Sequence, residues 1–349
     1  MKKLNKFFLM LFASSLFLAS CSSDDNSPNV SLGQYDNGVF VVNEGNSTIT
    51  TSSITFISNS GAVEQDVFRN VNPGAAELGT YLQPMFFDNT RAFIISGSAN
   101  KITVVNRYTF EYIATISTNL QNPRFGAVAN GKAYVTNAAD WMTGTDDYLT
   151  VINLSDYSTS TKTLGVWSER IIEENNKLYI TNGYAYGNAT SVTVFNPATN
   201  NVEATIQLGF NPNSFEEEDG ILYVLGSEKL AKINLATNMV VGTPITVAAS
   251  TSAGAKNLNV EDNKIYYTVD TAVYAMALNA TVAPSAPLLT YESQSEYGRM
   301  YGFAVNDGKI YIADGGDFSS DSKAYIYSTT GSLLSTITVG VGPNSFYFN

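Results

Sequence analysis

Lys177-Leu178-Tyr179-Ile180-Thr181-Asn182 follows the polar turn Asn175-Asn176, and six variants of this phrase recur along the chain. They are GVFVVN at Phe40, RAFIIS at Phe93, KAYVTN at Tyr134, ILYVLG at Tyr223, KIYYTV at Tyr266 and KIYIAD at Tyr311. Successive aromatic anchors lie 53, 41, 45, 44, 43 and 45 residues apart. At that period four short strands make one propeller blade, so seven phrases predict an all-β, seven-bladed β-propeller of four-stranded blades.

Around Tyr179 the unit reads as four strands, 168–174 innermost, then 177–182, 191–196 and 201–207 outermost. β-Branched and aromatic residues alternate with polar ones, as in sheets packed face on face, and helix has almost no place. The tight turns Asn130-Gly131 and Asp307-Gly308 tolerate the positive φ that a hairpin needs. The repeat opens on a second strand at Gly38, while Gly342-Pro343-Asn344-Ser345-Phe346 matches the inner-strand opening Asn211-Pro212-Asn213-Ser214-Phe215. The final strand is therefore expected to complete the first blade and close the ring, leaving no open edge. The seven anchors are expected between blades, each contributing roughly 1.5–3 kcal/mol by burial, with no further role.

The repeat fills the 349 residues from position 38 onward, which leaves no room for a second domain. A formal charge of −12 speaks against binding nucleic acid or an anionic lipid surface. Residues 1–20 read as a signal peptide: Lys2, Lys3 and Lys6 precede an apolar run from Phe7 to Leu18, too short to span a bilayer. Leu18-Ala19-Ser20-Cys21 resembles the bacterial lipobox, which implies lipidation of Cys21; a free cysteine behind an ordinary signal peptide is the alternative. Cys21 is the only cysteine, so no intrachain disulfide can form. Residues 21–37 are polar and aperiodic, as expected of a lipidated cysteine and flexible tether, followed by the propeller at 38–349.

The two faces of such a ring differ in sequence. One carries compact turns such as Asn196-Pro197-Ala198-Thr199-Asn200; the other carries the long segments 43–52, 68–80, 137–148, 182–190, 248–255, 291–298 and 314–322. Long loops in a compact repeat fold are commonly functional. They hold aromatics that the repeat does not require: Trp141 beside Met142, Tyr148, Trp167, Tyr184, Tyr186, Phe210, Tyr297 and Phe318. Exposed together, these would form a platform for a large, flat or amide-rich ligand, or for a protein; folded back, they would only cover blade ends.

Ten residues before each anchor, the mouth of the central channel is expected to carry Gln83, Arg124, Glu169, Asn213, Lys256 and Tyr301, with Asn344 equivalent in the closing strand. Converging polar groups can read amides and hydroxyls, although a water-filled mouth would also select them. The chain has no histidine, the commonest general base, and Cys21 is processed, so an enzyme is not expected and no cofactor is called for. Asp314, Asp317 and Asp321 could hold calcium, but their spacing is not that of an EF-hand and a solvated loop is the favoured reading.

Ala133-Tyr134-Val135-Thr136-Asn137 and Leu178-Tyr179-Ile180-Thr181-Asn182 resemble the YVTN repeat of YncE-like propellers. With Phe40-Val41-Val42-Asn43-Glu44-Gly45-Asn46, Asn122-Pro123-Arg124-Phe125 and the lipobox, they resemble the BtuG-type surface propeller lipoproteins of the Bacteroidetes. Ser22-Ser23-Asp24-Asp25 looks like the acidic tag that sends such lipoproteins to the outer face of the outer membrane. This resemblance implies a non-enzymatic protein that captures cobalamin or a related corrinoid and passes it to a TonB-dependent outer-membrane transporter. A protein- or glycan-docking scaffold of an outer-membrane assembly is the alternative.

Overall fold

A computed structural model describes residues 31–183, 189–247 and 254–349. Seven antiparallel four-stranded sheets form a ring, and blade 5 carries one further two-residue strand. From blade 1 to blade 7 the inner strands are Pro343–Phe348, Leu82–Phe87, Pro123–Ala129, Ile171–Glu174, Pro212–Glu218, Ala255–Glu261 and Gly302–Asn306. The repeated phrase is the second strand of each blade, and its aromatic anchor is never more than 5% exposed.

Burial between blades explains the choice of residues. Phe86 and Phe93 of blade 2 stack at 4.6 Å and pack with Ala133, Val135 and Ile152 of blade 3. The asparagine that ends several phrases is also buried, and it acts as a latch. Asn43 Nδ2 donates to Ser53 Oγ at 3.0 Å and Thr55 Oγ1 at 2.9 Å, Asn137 Nδ2 donates to Thr150 Oγ1, and Asn182 Oδ1 accepts from Ser191 and Thr193. A polar side chain survives at that depth because the third strand supplies its partners.

The ring closes as expected. Gly38–Asn43 pairs on one side with Ser53–Ser58 and on the other with Pro343–Phe348. Asn349 secures the junction: its Oδ1 accepts from Arg107 Nε at 2.6 Å and its Nδ2 donates to the Tyr35 carbonyl at 2.8 Å.

Four details differ from the sequence reading. The ring's compact unit begins at Leu32, within the expected tether, because Tyr35 is buried with its ring edge-on to Phe56 at 5.1 Å. Paired inner strand in blade 4 starts at Ile171, not 168, since Glu169 and Arg170 are held by Thr181 in an irregular segment. The segment 68–80 starts within a short helix, Val67–Val71, that buries Val67 and Phe68. On the turn face, the connection from Ala272–Ala277 to Leu289–Thr290 is a long one, carrying Val282 at 77% exposure. Among the described residues no helix is long and apolar enough to cross a membrane. Cys21 lies outside the described residues.

Deleting everything after Gly340 removes the inner strand of blade 1 and the buried Phe346. Differential scanning calorimetry should show the melting temperature falling by roughly 5 °C or more, given a few kcal/mol of lost burial in a domain of this size. An unchanged melting temperature would refute closure.

Candidate functional site

The mouth of the channel is built by irregularities in the inner strands. Register shifts fall between Leu82 and Met85, Pro123 and Gly126, Pro212 and Ser214, and Lys256 and Asn259. These bulges contain Gln83, Arg124 and Asn213 and begin at Lys256; a bulge breaks the ladder and re-aims the side chain within it. The threonine of the repeated phrase holds the irregular backbone. Thr136 Oγ1 donates to the Glu169 carbonyl at 2.7 Å, Thr181 Oγ1 accepts the Arg170 amide at 3.0 Å, and Thr268 Oγ1 donates to the Lys256 carbonyl at 3.1 Å.

Two clusters result. In the first, Arg124 donates through Nη1 to Gln83 Oε1 and through Nη2 to Glu169 Oε1, both at 2.5 Å, with its guanidinium 5.3 Å from the centre of the Trp141 ring. In the second, the Tyr301 hydroxyl donates to Glu44 Oε2 at 2.5 Å, and the Tyr301 ring meets Phe318 edge-on at 5.0 Å. Burial raises the Glu44 carboxyl, against the pull of Tyr301, Asn344 and Arg124, and burial next to Glu44 likewise raises the Tyr301 phenol.

The remaining mouth residues serve the ring more than the opening. Asn213 Nδ2 donates to the Ala255 carbonyl and Asn344 Nδ2 to the Leu82 carbonyl, each at 2.8 Å, strapping one inner strand to the next. Their Oδ1 atoms accept from Ser214 and Ser345. Lys256 Nζ donates to the Arg299 carbonyl at 2.9 Å, and burial lowers its pKa.

The aromatic platform is smaller than the sequence suggested. Tyr297 stands free at 82% exposure, beside Met142 at 86% elsewhere on the loops, whereas Trp141, Tyr148, Trp167, Phe210 and Phe318 are half-buried. Trp167 is tight against Gly144, where even a Cβ would come within 2.5 Å of its amide nitrogen. Tyr184 and Tyr186 lie outside the described residues. The loop acids are absorbed locally: buried Asp314 accepts from Ser293 and the Gln294 and Gly316 amides, and Asp317 accepts the Ser319 and Ser320 amides. Among the described residues no group of three or more acidic side chains is placed to hold a metal.

Two contributors escaped the sequence reading. Glu44 was visible in the phrase Asn43-Glu44-Gly45-Asn46, but only as a family marker. Asp147 carries no repeat signal, yet its Oδ2 accepts the Ser168 amide at 2.7 Å and its carbonyl accepts the Leu164 and Gly165 amides, so it fixes the segment bearing Trp167 and Glu169. It is 1% exposed, and Oδ1 has no partner among the described residues. Burial, aided by Asp146 and Glu169 and opposed by the Ser168 amide, pushes its carboxyl up to about 7.

A family model described as a domain of unknown function, DUF5074, matches residues 37–340. The chain belongs to the DUF5074 family. No curated protein matches the sequence. Among solved structures, this DUF5074 propeller is similar to a quinonprotein alcohol dehydrogenase-like protein from Bacteroides thetaiotaomicron, at 18% identity and a TM-score of 0.68, covering 90% of this chain and 78% of that one. A functionally unknown protein from Desulfotomaculum acetoxidans aligns at 10% identity and a TM-score of 0.67, covering 89% and 98%. Hydrazine synthase from Kuenenia stuttgartiensis aligns at 17% identity and 0.58, covering 74% and 86%. At these identities the likeness establishes the propeller fold alone.

Asp147 predicts a pH effect. A carboxyl raised from about 4 in the unfolded chain to about 7 in the fold makes the native state hold the extra proton between those values. Its contribution to stability is therefore full below pH 4 and declines as pH rises to about 7. Asp147→Asn keeps the acceptor for Ser168 and removes the titration, so the variant should gain on the native chain in thermal melts as pH goes from 5 to 8. Parallel melting curves across that range would contradict it.

Proposed function

We propose that this DUF5074 propeller is a non-enzymatic binding protein whose ligand sits over the channel mouth on the loop face. One observation carries the reading: the loop-face ends of the blades present Arg124–Glu169 beside Trp141 and Tyr301–Glu44 beside Phe318 on the same face. Polar groups held in fixed pairs next to half-buried rings suit a large molecule with both amide or hydroxyl groups and apolar edges. The first cluster has no nucleophile, and in the second burial next to Glu44 raises the Tyr301 phenol and keeps it protonated, which favours binding over chemistry.

A corrinoid is the ligand we favour, on the resemblance of the Asn43-Glu44-Gly45-Asn46 phrase and the YVTN-type repeats to the BtuG-type lipoproteins. In this reading Cys21 is the lipid anchor in the outer membrane, the ring faces the cell exterior, and a TonB-dependent transporter receives the ligand. Gln83 and Lys256 border the same opening, while Asn213 and Asn344 keep its width.

Calorimetric titration of the purified protein with cyanocobalamin should give saturable one-to-one binding. Trp141→Ala and Arg124→Gln should each weaken it at least tenfold, about 1.4 kcal/mol. Absence of heat at high micromolar ligand removes the corrinoid, and binding unaffected by both substitutions removes the loop-face site.

A further inference from the structure

Below the mouth the inner strands line a cavity of about 440 Å³. Its wall includes Phe125, Arg170, Glu216, Asn259, Phe303 and Tyr347. Arg170 follows Glu169 but belongs to this lower space. Its Nε donates to the Asn213 carbonyl at 2.8 Å and its guanidinium carbon lies 4.9 Å from the centre of the Phe125 ring. Its two terminal nitrogens donate to no group among the described residues. An arginine cannot shed its proton, so a charge with open donors faces the cavity.

The nearby acid does not fully answer that charge. Glu216 accepts from Asn259 Nδ2 at 3.3 Å, and burial lifts its carboxyl to about 7 even though Arg170 and Asn259 pull it down. Tyr347, the other titratable group facing Arg170 here, has its phenol raised by burial and so stays neutral. Glu169 also acts on Arg170, but its carboxylate is committed to Arg124. At the turn face, Glu174, Glu218 and Glu261 end their inner strands and Asp307 lies in the turn after Gly302–Asn306, and burial next to Glu217 and Glu173 raises Glu174. The mouth on the loop face carries Arg124 and Lys256 together with Glu44 and Glu169, the Glu169 carboxylate being paired with Arg124. The axis is therefore acidic at the turn face and balanced in charge at the mouth, so the loop face is the easier entry for an anion.

We propose that the axial cavity is a site for a small oxyanion, a carboxylate or a tetrahedral anion, bound by the terminal nitrogens of Arg170. The planar fork suits either shape. This holds whichever molecule the loop face captures. Entry of the anion and ionisation of Glu216 compete for the same charge, so affinity falls as pH rises through the titration of Glu216.

The test is calorimetric titration of the purified protein with acetate and, separately, with sulfate, whose charges do not change between pH 6 and 8. Saturable binding is expected at pH 6, weaker by roughly tenfold at pH 8, as a competitor titrating near 7 requires. Arg170→Gln should weaken it at least tenfold, and Glu216→Gln should bind equally at both pH values. The anion with the higher affinity distinguishes a carboxylate ligand from a tetrahedral one. No saturable binding of either anion at pH 6, or binding unchanged in Arg170→Gln, overturns the site. If Arg170→Gln does not fold, a Glu216→Gln variant with the native pH dependence overturns it instead.

Discussion

The antiparallel ladder between Gly38–Asn43 and Pro343–Phe348 is the constraint on which the molecule depends. Every other blade is continuous in sequence and needs only local turns. Blade 1 is assembled from residues about 300 positions apart, so forming it fixes the circumference and covers the edge of Gly38–Asn43 that an open array would expose. The junction is reinforced from outside the ladder: Tyr35 packs beneath it, and Asn349 ties it to Arg107 of blade 2.

Closure has a chemical consequence. Seven inner strands forced around one axis bring their loop-face ends together, and bulges in those strands turn Gln83, Arg124 and Asn213 out of the ladder. The bulged backbone is short of ladder partners, and the threonines of the repeated phrase supply some of them. The phrase thus has separate parts: the aromatic packs between blades, the threonine holds the irregular inner strand, and the asparagine latches the third strand. Asn182 also links to the site, since its Nδ2 donates to the Trp167 carbonyl at 3.0 Å.

Blade number, closure and the buried anchors were legible because each repeats at the spacing of the fold. The mouth was partly legible for the same reason: one aligned column named Gln83, Arg124 and Glu169, which do meet. That column could not say that Asn213 and Asn344 strap neighbouring strands, because their partners are backbone carbonyls of the next blade. Nor could it show Arg170 and Glu216, which are single charges in columns otherwise held by neutral residues. Tyr35 and Asp147 lie in segments without period, where burial is decided by tertiary packing alone. Loop aromatics carry no periodic signal for exposure, which is why Trp141 and Trp167 prove half-buried and Tyr297 does not.

The loop face and the channel are thus consequences of one geometric act, the joining of the first and last strands. Amide hydrogen exchange across that joint tests this most directly. Residues of Gly38–Asn43 and Pro343–Phe348 should exchange only with global unfolding, as slowly as the second strands of blades 3 and 4, Lys132–Asn137 and Lys177–Asn182. Faster exchange confined to the joint, with the other blades still protected, would show a ring that opens on its own and would contradict the account.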